Sequence, residues 1–405
     1  MALTPTLDFS AYDAMLKEYY TDDVVHNMVY ADNPFLAMCS KNTKIEGKRT
    51  PVPINYGNSQ GRSATFSKAV ANKSAAKFED FLITYDEDYS LADLDYKTML
   101  ASRGNPGAWL DAKSSVIDNA WQSIVRSLAI SMFGSGTGKI GQIAASPAPG
   151  ATITLTDPED VTNFEVGMTI AASLTDGGGA GVKDQTVDII AVDRSAGTVT
   201  FSADVTGLAD AWAAADYLFV DGDYDAKIKG LEAWVPPTAP SATLFFGVAR
   251  NVDTRLGGLR QDNSAKPIEE ALIDGAKFAC REGGRPDAGF GTYDTYGDLE
   301  KSLGSKVQYV NNQVMANIGF QGIKVNHNKG VMTLYADQNA VSDVVHMLTM
   351  STWELQSIGD APFVQTGDGN TWLRQAAADS MEMRIAYYAQ LVCNAPGWNL
   401  RNKVK

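Results

Sequence analysis

Cysteine and histidine are nearly missing from this 405-residue chain, three of each. Cys39, Cys280 and Cys393 lie far apart and are odd in number, which excludes a disulfide framework and a Cys-x-x-Cys zinc site. They read as small buried hydrophobes. His26, His327 and His346 lack the His-x-x-x-His spacing of a helical zinc site, and no Gly-x-Ser-x-Gly elbow accompanies them, so each reads as a core or interface residue. Excess positive charge is absent as well: a formal charge of −14 argues against a dedicated nucleic-acid groove. No stretch reaches the length of a membrane span. The first residues, MALTPTLDFSAYDAML, have neither the basic region nor the apolar run of a signal peptide, so folding in a cytosol is expected.

Cofactor signatures are missing too. Gly136-x-Gly138-x-x-Gly141 matches the dinucleotide pattern by letters, yet it follows a predicted helix instead of a strand and opens into AASPAPG, so it reads as a flexible linker. GSGTGKI fails as a phosphate loop because Phe133 and Ile140 stand where Gly and Ser or Thr are needed. The nearest approach to a metal motif is DGDYDAKIKGLE, where Asp221, Asp223, Asp225 and Glu232 take positions 1, 3, 5 and 12 of a calcium loop and Ile228 the apolar eighth. Ala226 replaces the turn glycine and the flanks read as extended, which favours a solvated hinge over a metal site. No cofactor, metal or enzymatic activity is expected.

What the sequence does contain is unevenly distributed. Its hydrophobic fraction of 44% is ordinary for a globular protein, and its length suits two or three domains. Residues 1–43 form an arm with a short amphipathic pattern through Tyr12, Met15, Leu16 and Tyr19, then Val24, Val25, Met28 and Val29. KIEGKRTPVPINY from Lys44 and KFEDFLITYDEDYSL from Lys77 predict one long two-stranded arm, with Pro51 and Pro53 marking an edge. Gly57 to Lys77 carries Arg62, Lys68, Lys73 and Lys77 and no acid, whereas Phe78 to Asp95 carries seven acids, Glu79 and Asp80 first, and no base. A positive tip and a negative root suit contact between repeated copies, because an isolated hairpin is marginal in water. Pro106 to Phe133 predicts one long helix, capped by Asn105 and stopped by Gly134, with Trp109, Trp121, Ile124 and Leu128 on its apolar face.

From Pro147 to Asp223 short strands alternate with Gly- and Asp-rich breaks, the pattern of a small antiparallel barrel or sandwich. Thirteen acids and two bases, Lys183 and Arg194, give this segment −11 of the −14, so it is expected on an exposed surface. Trp212 and Tyr217 are its only large stacking aromatics, too few for a sugar reader. Beyond it the chain is mixed: helices at Pro267 to Glu282, Tyr296 to Leu303 and near Asn339 to Leu348, and strands at Lys306 to Val310, Phe320 to Val325 and Val331 to Tyr335. SMEMRIAYYAQLVCNAPGWNLRNKVK predicts a long alternating strand ending in a basic tail.

This order of parts resembles the major capsid proteins of tailed bacteriophages, the Hong Kong 97-type fold. The resemblance spans essentially the whole chain. It is carried by the hairpin Thr43 to Leu91, the helix Ala108 to Phe133, GRPDAGFGTYDTYGDLEKSL from Gly284, GVMTLYADQNAVSDVVHMLTMSTWELQSIGDAP from Gly330, and DSMEMRIAYYAQLVCNAPGWNLRNKV from Asp379. It implies an α+β fold: N-terminal arm 1–43, extended loop 44–91, peripheral domain with a spine helix 92–146, β insertion 147–223, axial domain 224–377 and a return strand 378–405. The insertion departs from the minimal fold.

By resemblance the chain would assemble as hexamers and pentamers into an icosahedral virion shell around double-stranded DNA, built in the host cytoplasm without sequence-specific contacts or a membrane. An acidic wall suits that role, since it does not stick to packed DNA. Arg62, Lys68, Lys73, Glu79 and Asp80 would make inter-subunit contacts, and Trp109, Trp121, Ile124 and Leu128 would hold the spine helix on its sheet. The arm begins at Met1, so a separate scaffolding protein, or none, is expected, beside a portal and a decoration protein. Lys68 and Lys73 are candidate crosslinking positions, but nothing local identifies an Asn partner or a catalytic acid. Two other readings stand beside this one: a nanocompartment shell around a cargo enzyme, and a surface-binding module acting through the β insertion.

Overall fold

The computed structural model describes residues 33–45, 47–95, 97, 106–144, 150–179, 181–303, 322–366, 370–375 and 379–405. Most of the predicted N-terminal arm, with His26, lies outside the described residues, as do Asn105, the side chain of Trp109 and the strand predicted at Lys306 to Val310. Within them the chain forms three six-stranded sheets, each over its own hydrophobic cluster, and two two-stranded hairpins, Thr50–Gly57 with Lys77–Ile83 and the short Leu244–Phe245 with Val248–Ala249.

The first sheet is built on Ser380–Cys393. Asp86–Asp95 pairs antiparallel with it from Ser380↔Asp95 to Ala389↔Asp86, and Trp353–Ser357, Phe363–Val364 and Leu373–Arg374 line its other edge in turn. Met383, Ile385, Tyr387, Ala389, Leu391 and Cys393 fall on one face by the two-residue period and are buried. The helix Pro106–Phe133 belongs to the same core. Val116, Ala120, Ile124 and Leu128, four residues apart, form its buried seam, and the Gly134 amide donates to Ile130 O at 3.2 Å where it stops. Trp121, expected on the packed face, is 36% exposed. It lies in the neighbouring row with Ile117 and Val125, both half-buried, at the rim of a narrow seam.

The expected second strand of the arm is two strands. Lys77–Ile83 pairs with Thr50–Gly57 as the hairpin, and after Thr84 and Tyr85 the chain leaves it for the first sheet as Asp86–Asp95. A ten-residue ladder along a buried strand outweighs lengthening a two-stranded ribbon.

The second sheet runs Lys139–Gln142, Tyr217–Val220, Thr169–Ser173, Val187–Asp193, Thr198–Phe201, Thr152–Thr154, each neighbour antiparallel. It closes on itself: Ile143 bridges Leu155, Ala144 N donates to Thr154 O at 3.0 Å and Thr156 N to Gln142 O at 2.8 Å. A closed barrel has no free edge. Ile143, Ile153, Leu155, Phe164, Ile170, Val199, Phe201, Trp212 and Leu218 fill it, with Phe201 edge-on to Trp212 at 5.1 Å. Its first strand lies upstream of the composition change at Pro147.

The third sheet runs Leu259–Asp262, Leu400–Lys403, Val344–Leu348, Ala288–Gly291, Gly330–Ala336, Ile323–His327, and helices Ile268–Arg281 and Tyr293–Leu303 pack on it. Two expectations are corrected here. Val344–Leu348 is a strand instead of part of a helix; all five residues are buried, and such a strand is a continuous apolar run with no period to identify it. The basic tail is also a strand, Leu400–Lys403, held between two neighbours. Its Asn402 donates to Ala271 O at 3.0 Å and accepts from Asn263 at 2.8 Å.

Candidate assembly surface

The hairpin has two halves with different fates. At its root, Val52, Ile54, Phe81 and Ile83 are buried in the chain's own core. Phe81 meets Trp234 at 5.2 Å and Phe245 at 6.3 Å. Arg250 stacks on Phe245 at 3.8 Å and donates to Ala233 O at 2.7 Å, so the positive charge is held among aromatic faces and carbonyls. Leu82 N donates to Phe246 O at 2.9 Å and Arg255 to Tyr56 O at 3.0 Å. The arm therefore has more support from its own chain than its sequence suggested.

The tip has none of this. A short helix, Phe66–Ala71, crosses it with no buried residue; Phe66 is 86% exposed and Phe78 61%. Arg62, Lys68 and Lys73 are exposed and make no ion pair among the described residues, and Glu79 and Asp80 are exposed on the adjoining strand. Strand alternation puts Glu87, Tyr89, Leu91, Asp93 and Asp95 on one face of the first sheet, away from the buried Ala92 and Leu94. Tyr89 and Leu91 are exposed there, and Tyr388, edge-on to Tyr89 at 6.2 Å, extends the patch. The tip is thus basic around Phe66 and Val70, and this face is acidic around Tyr89 and Leu91.

Between root and sheet lies a polar clasp. Lys227 Nζ reaches Asp88 Oδ2 at 2.6 Å, Asp223 Oδ2 at 3.0 Å and Ser127 Oγ at 3.0 Å, with all four side chains largely withdrawn from water. Ser127 and Tyr387 also donate to Asp88, at 2.6 and 3.2 Å. Next to it, Lys229 and Gln390 donate to Asp86 at 3.1 and 2.8 Å. Burial raises the Asp223 carboxyl from its ordinary value against the pull of Lys227, and burial followed by Asp88 raises the Tyr387 phenol well above its ordinary value. The clasp ties the long helix, the root of the first-sheet strand, the central strand and the exit from the barrel.

The DGDYDAKIKGLE carboxylates are thereby dispersed. Asp223 goes to Lys227, Asp225 accepts from Gly178 N at 2.7 Å, and Glu232 pairs with Arg401 at 2.7 Å beside His346 at 3.5 Å. No cluster of three or more His, Cys, Asp or Glu side chains suited to a metal occurs among the described residues. The Gly136-x-Gly138-x-x-Gly141 run, expected as a flexible linker, is an ordered neck. Gly136 and Gly138 have positive φ, a Cβ on Gly138 would stand 2.2 Å from Asp223 O, and Asp225 N donates to Thr137 O at 2.8 Å. Trp212 is inside the barrel and Tyr217 is half-buried beside Lys139, so neither offers a stacking platform. His327 Nε2 donates to Pro286 O at 2.9 Å and its Nδ1 lies 3.2 Å from Cys280 Sγ, while burial pushes the Cys39 and Cys393 thiols up to about 12. No described helix is long and apolar enough to cross a membrane.

No protein-family model and no curated protein matches the sequence. Solved structures do match over nearly the full length. The cyanophage A-1(L) capsid asymmetric unit is 9% identical with a TM-score of 0.54, covering 95% of each chain. The capsid of a native GTA particle is 8% identical at 0.52, covering 98% of this chain and 99% of that one. The SrpI encapsulin from Synechococcus elongatus PCC 7942 is 7% identical at 0.50, covering 99% and 97%. At such identities the likeness is one of fold, and the chain accordingly has the α+β, Hong Kong 97-type capsid-like fold that these phage, GTA and encapsulin shells share.

Proposed function

We propose that this chain is a shell-forming structural protein whose copies associate as hexamers and pentamers into an icosahedral capsid around double-stranded DNA. The observation that carries the reading is a full-length capsid-like fold bearing a hairpin whose root is packed and whose tip is not. In this reading the hairpin is the extended loop, the helix Pro106–Phe133 the spine of a peripheral domain, and the third sheet the core of an axial domain. The basic tip, with Phe66 and Val70, lies on the acidic Glu87 to Asp95 face of a neighbouring copy. Apolar contact supplies affinity there and charge sets register.

The encapsulin likeness favours a second reading, a shell around a cargo protein. Electron microscopy of the particles formed in a host cell, followed by nuclease treatment and analysis of the contents, separates the two. Closed shells holding protected double-stranded DNA support the capsid reading, and shells with one stoichiometric cargo protein support the other. A uniform 43.5 kDa species under all expression conditions would refute both.

A further inference from the structure

A thiol and an imidazole meet at the end of the helix Ile268–Arg281, where the shell reading has no use for either. Cys280 is in the last turn of that helix, and its Sγ lies 3.2 Å from Nδ1 of His327, the last residue of Ile323–His327. Forty-seven positions separate the two, so no local motif announces the pair. The other contacts of His327 fix its tautomer. A carbonyl only accepts, so Nε2, 2.9 Å from Pro286 O, carries the ring proton. Lys329 N donates to Nδ1 at 3.2 Å, which independently makes that nitrogen the acceptor. The Cys280 S–H therefore donates to a basic nitrogen.

The carbonyl that orients the ring is itself held in place. As the chain leaves the helix, Gly284 N donates to Ala279 O at 2.9 Å, and a Cβ on Gly284 would stand 2.4 Å from Trp398 O. Just past Pro286, Asp287 N donates to Leu348 O and Thr333 N donates to Asp287 O, both at 3.0 Å, which anchors the segment to the third sheet. Nucleophile, base and the group that fixes the base thus come from three separate elements, the arrangement that activates an otherwise weak nucleophile. The carbonyl end of the helix favours the imidazolium that forms when the proton moves.

We propose that Cys280 and His327 form a base-assisted thiol site that a small hydroperoxide, hydrogen peroxide above all, oxidises to a sulfenic acid. The thiol proton passes to Nδ1 as the sulfur attacks the nearer peroxide oxygen; an S–O bond forms and the O–O bond breaks. The departing hydroxide takes the proton from Nδ1 and leaves as water. Sulfur gives up two electrons and the peroxide accepts them. At 5% exposure Cys280 admits an oxidant close to water in size, whereas a bulky disulfide would not reach it. Exposure alone does not make such a site. Cys39 is also 5% exposed, yet its thiol faces the Leu355 backbone and the charges of Glu354 and Lys41, with no imidazole to take the proton. Cys393 is fully buried beside the Thr352 hydroxyl at 3.8 Å and the Asn399 amide at 3.4 Å.

The test exposes the folded full chain to dilute hydrogen peroxide for increasing times, then denatures it with dimedone to mark sulfenic acid and iodoacetamide to count remaining thiols. Mass spectrometry of the digest gives a rate for each cysteine, with Cys39 and Cys393 as references in the same sample. Cys280 should be oxidised at least about tenfold faster than either, the low side of what a positioned base contributes. His327→Gln, whose amide still donates to Pro286 O but holds no basic nitrogen, should bring Cys280 down to the reference rate. In His327→Ala the rate should fall likewise and return on adding free imidazole, which replaces the base and leaves the wild-type rate unchanged. Cys280 oxidised no faster than Cys39, or as fast in both variants as in the wild type, overturns the proposal. A rate lost in His327→Ala that imidazole does not restore would make His327 a packing residue and overturn its role as the base.

Discussion

The barrel and the hairpin tip both project from the body, and they are finished to different degrees. The barrel closes its own sheet, fills its interior with Phe164, Phe201, Trp212 and their neighbours, and pairs its buried Lys183 with Asp216 at 2.8 Å. Its described strands leave no open edge, although Val166, Leu174 and Ile190 stay exposed on its outside. The tip has exposed Phe66 and Val70, three cations that form no ion pair among the described residues, and no core. A sequence can afford such a tip only if another surface covers it, because an unsupported two-stranded ribbon is marginal. High excess charge and the lack of a core are therefore separate properties: the barrel has the first, the tip has the second.

The largest expected effect lies in the barrel. Phe201→Ala should cost about 3–5 kcal/mol of barrel stability through lost burial and the cavity left against Trp212. Exchange protection of the barrel strands should fall while that of the third sheet holds. A matching loss in the third sheet would mean that the barrel is no separate unit.

Next in size is the clasp. Lys227→Met leaves Asp88 and Asp223 facing each other without their cation, a loss of about 3 kcal/mol at the low end for a broken buried pair. Chemical denaturation should report it. Replacing Asp88 and Asp223 by Asn in the same background should recover part of it, and failure to do so would place the effect elsewhere. Smallest for the isolated chain is Phe66→Ala. It should change unfolding by no more than about 0.5 kcal/mol, as for an exposed site without partners. The same variant should form far fewer particles, measured by light scattering, and normal yields would remove the apolar part of the tip contact.

Much of this was legible in the residues, for identifiable reasons. Pro106 to Phe133 carried its start signal and a sustained helical period, and the barrel's alternating strands stood out in composition. Lys139–Gln142 did not, because four residues after a glycine-rich run show no pattern of their own. Val344–Leu348 was misread for want of alternation in a strand buried on both faces. The clasp was invisible: DGDYDAKIKG looks locally like a calcium loop, whereas the partner that decides its role, Asp88, is 139 positions from Lys227. Tip and root charges were plain in sequence. That the root would be packed and only the tip open needed Trp234 and Phe245, which no local pattern connects to Phe81.

The most direct test is a charge swap between the tip and the first-sheet face, read by sedimentation velocity under conditions where the wild-type chain forms shells. Reversing Arg62, Lys68 and Lys73 to Glu should stop assembly, as should reversing Glu87, Asp93 and Asp95 to Lys. Circular dichroism should show both variants folded. Mixing the two should restore contacts at the interfaces where a reversed tip meets a reversed face, and one chain carrying all six changes should form shells again. Tip-reversed protein that assembles like wild type, or a six-fold variant that stays unassembled though folded, would contradict the pairing of tip and face between copies.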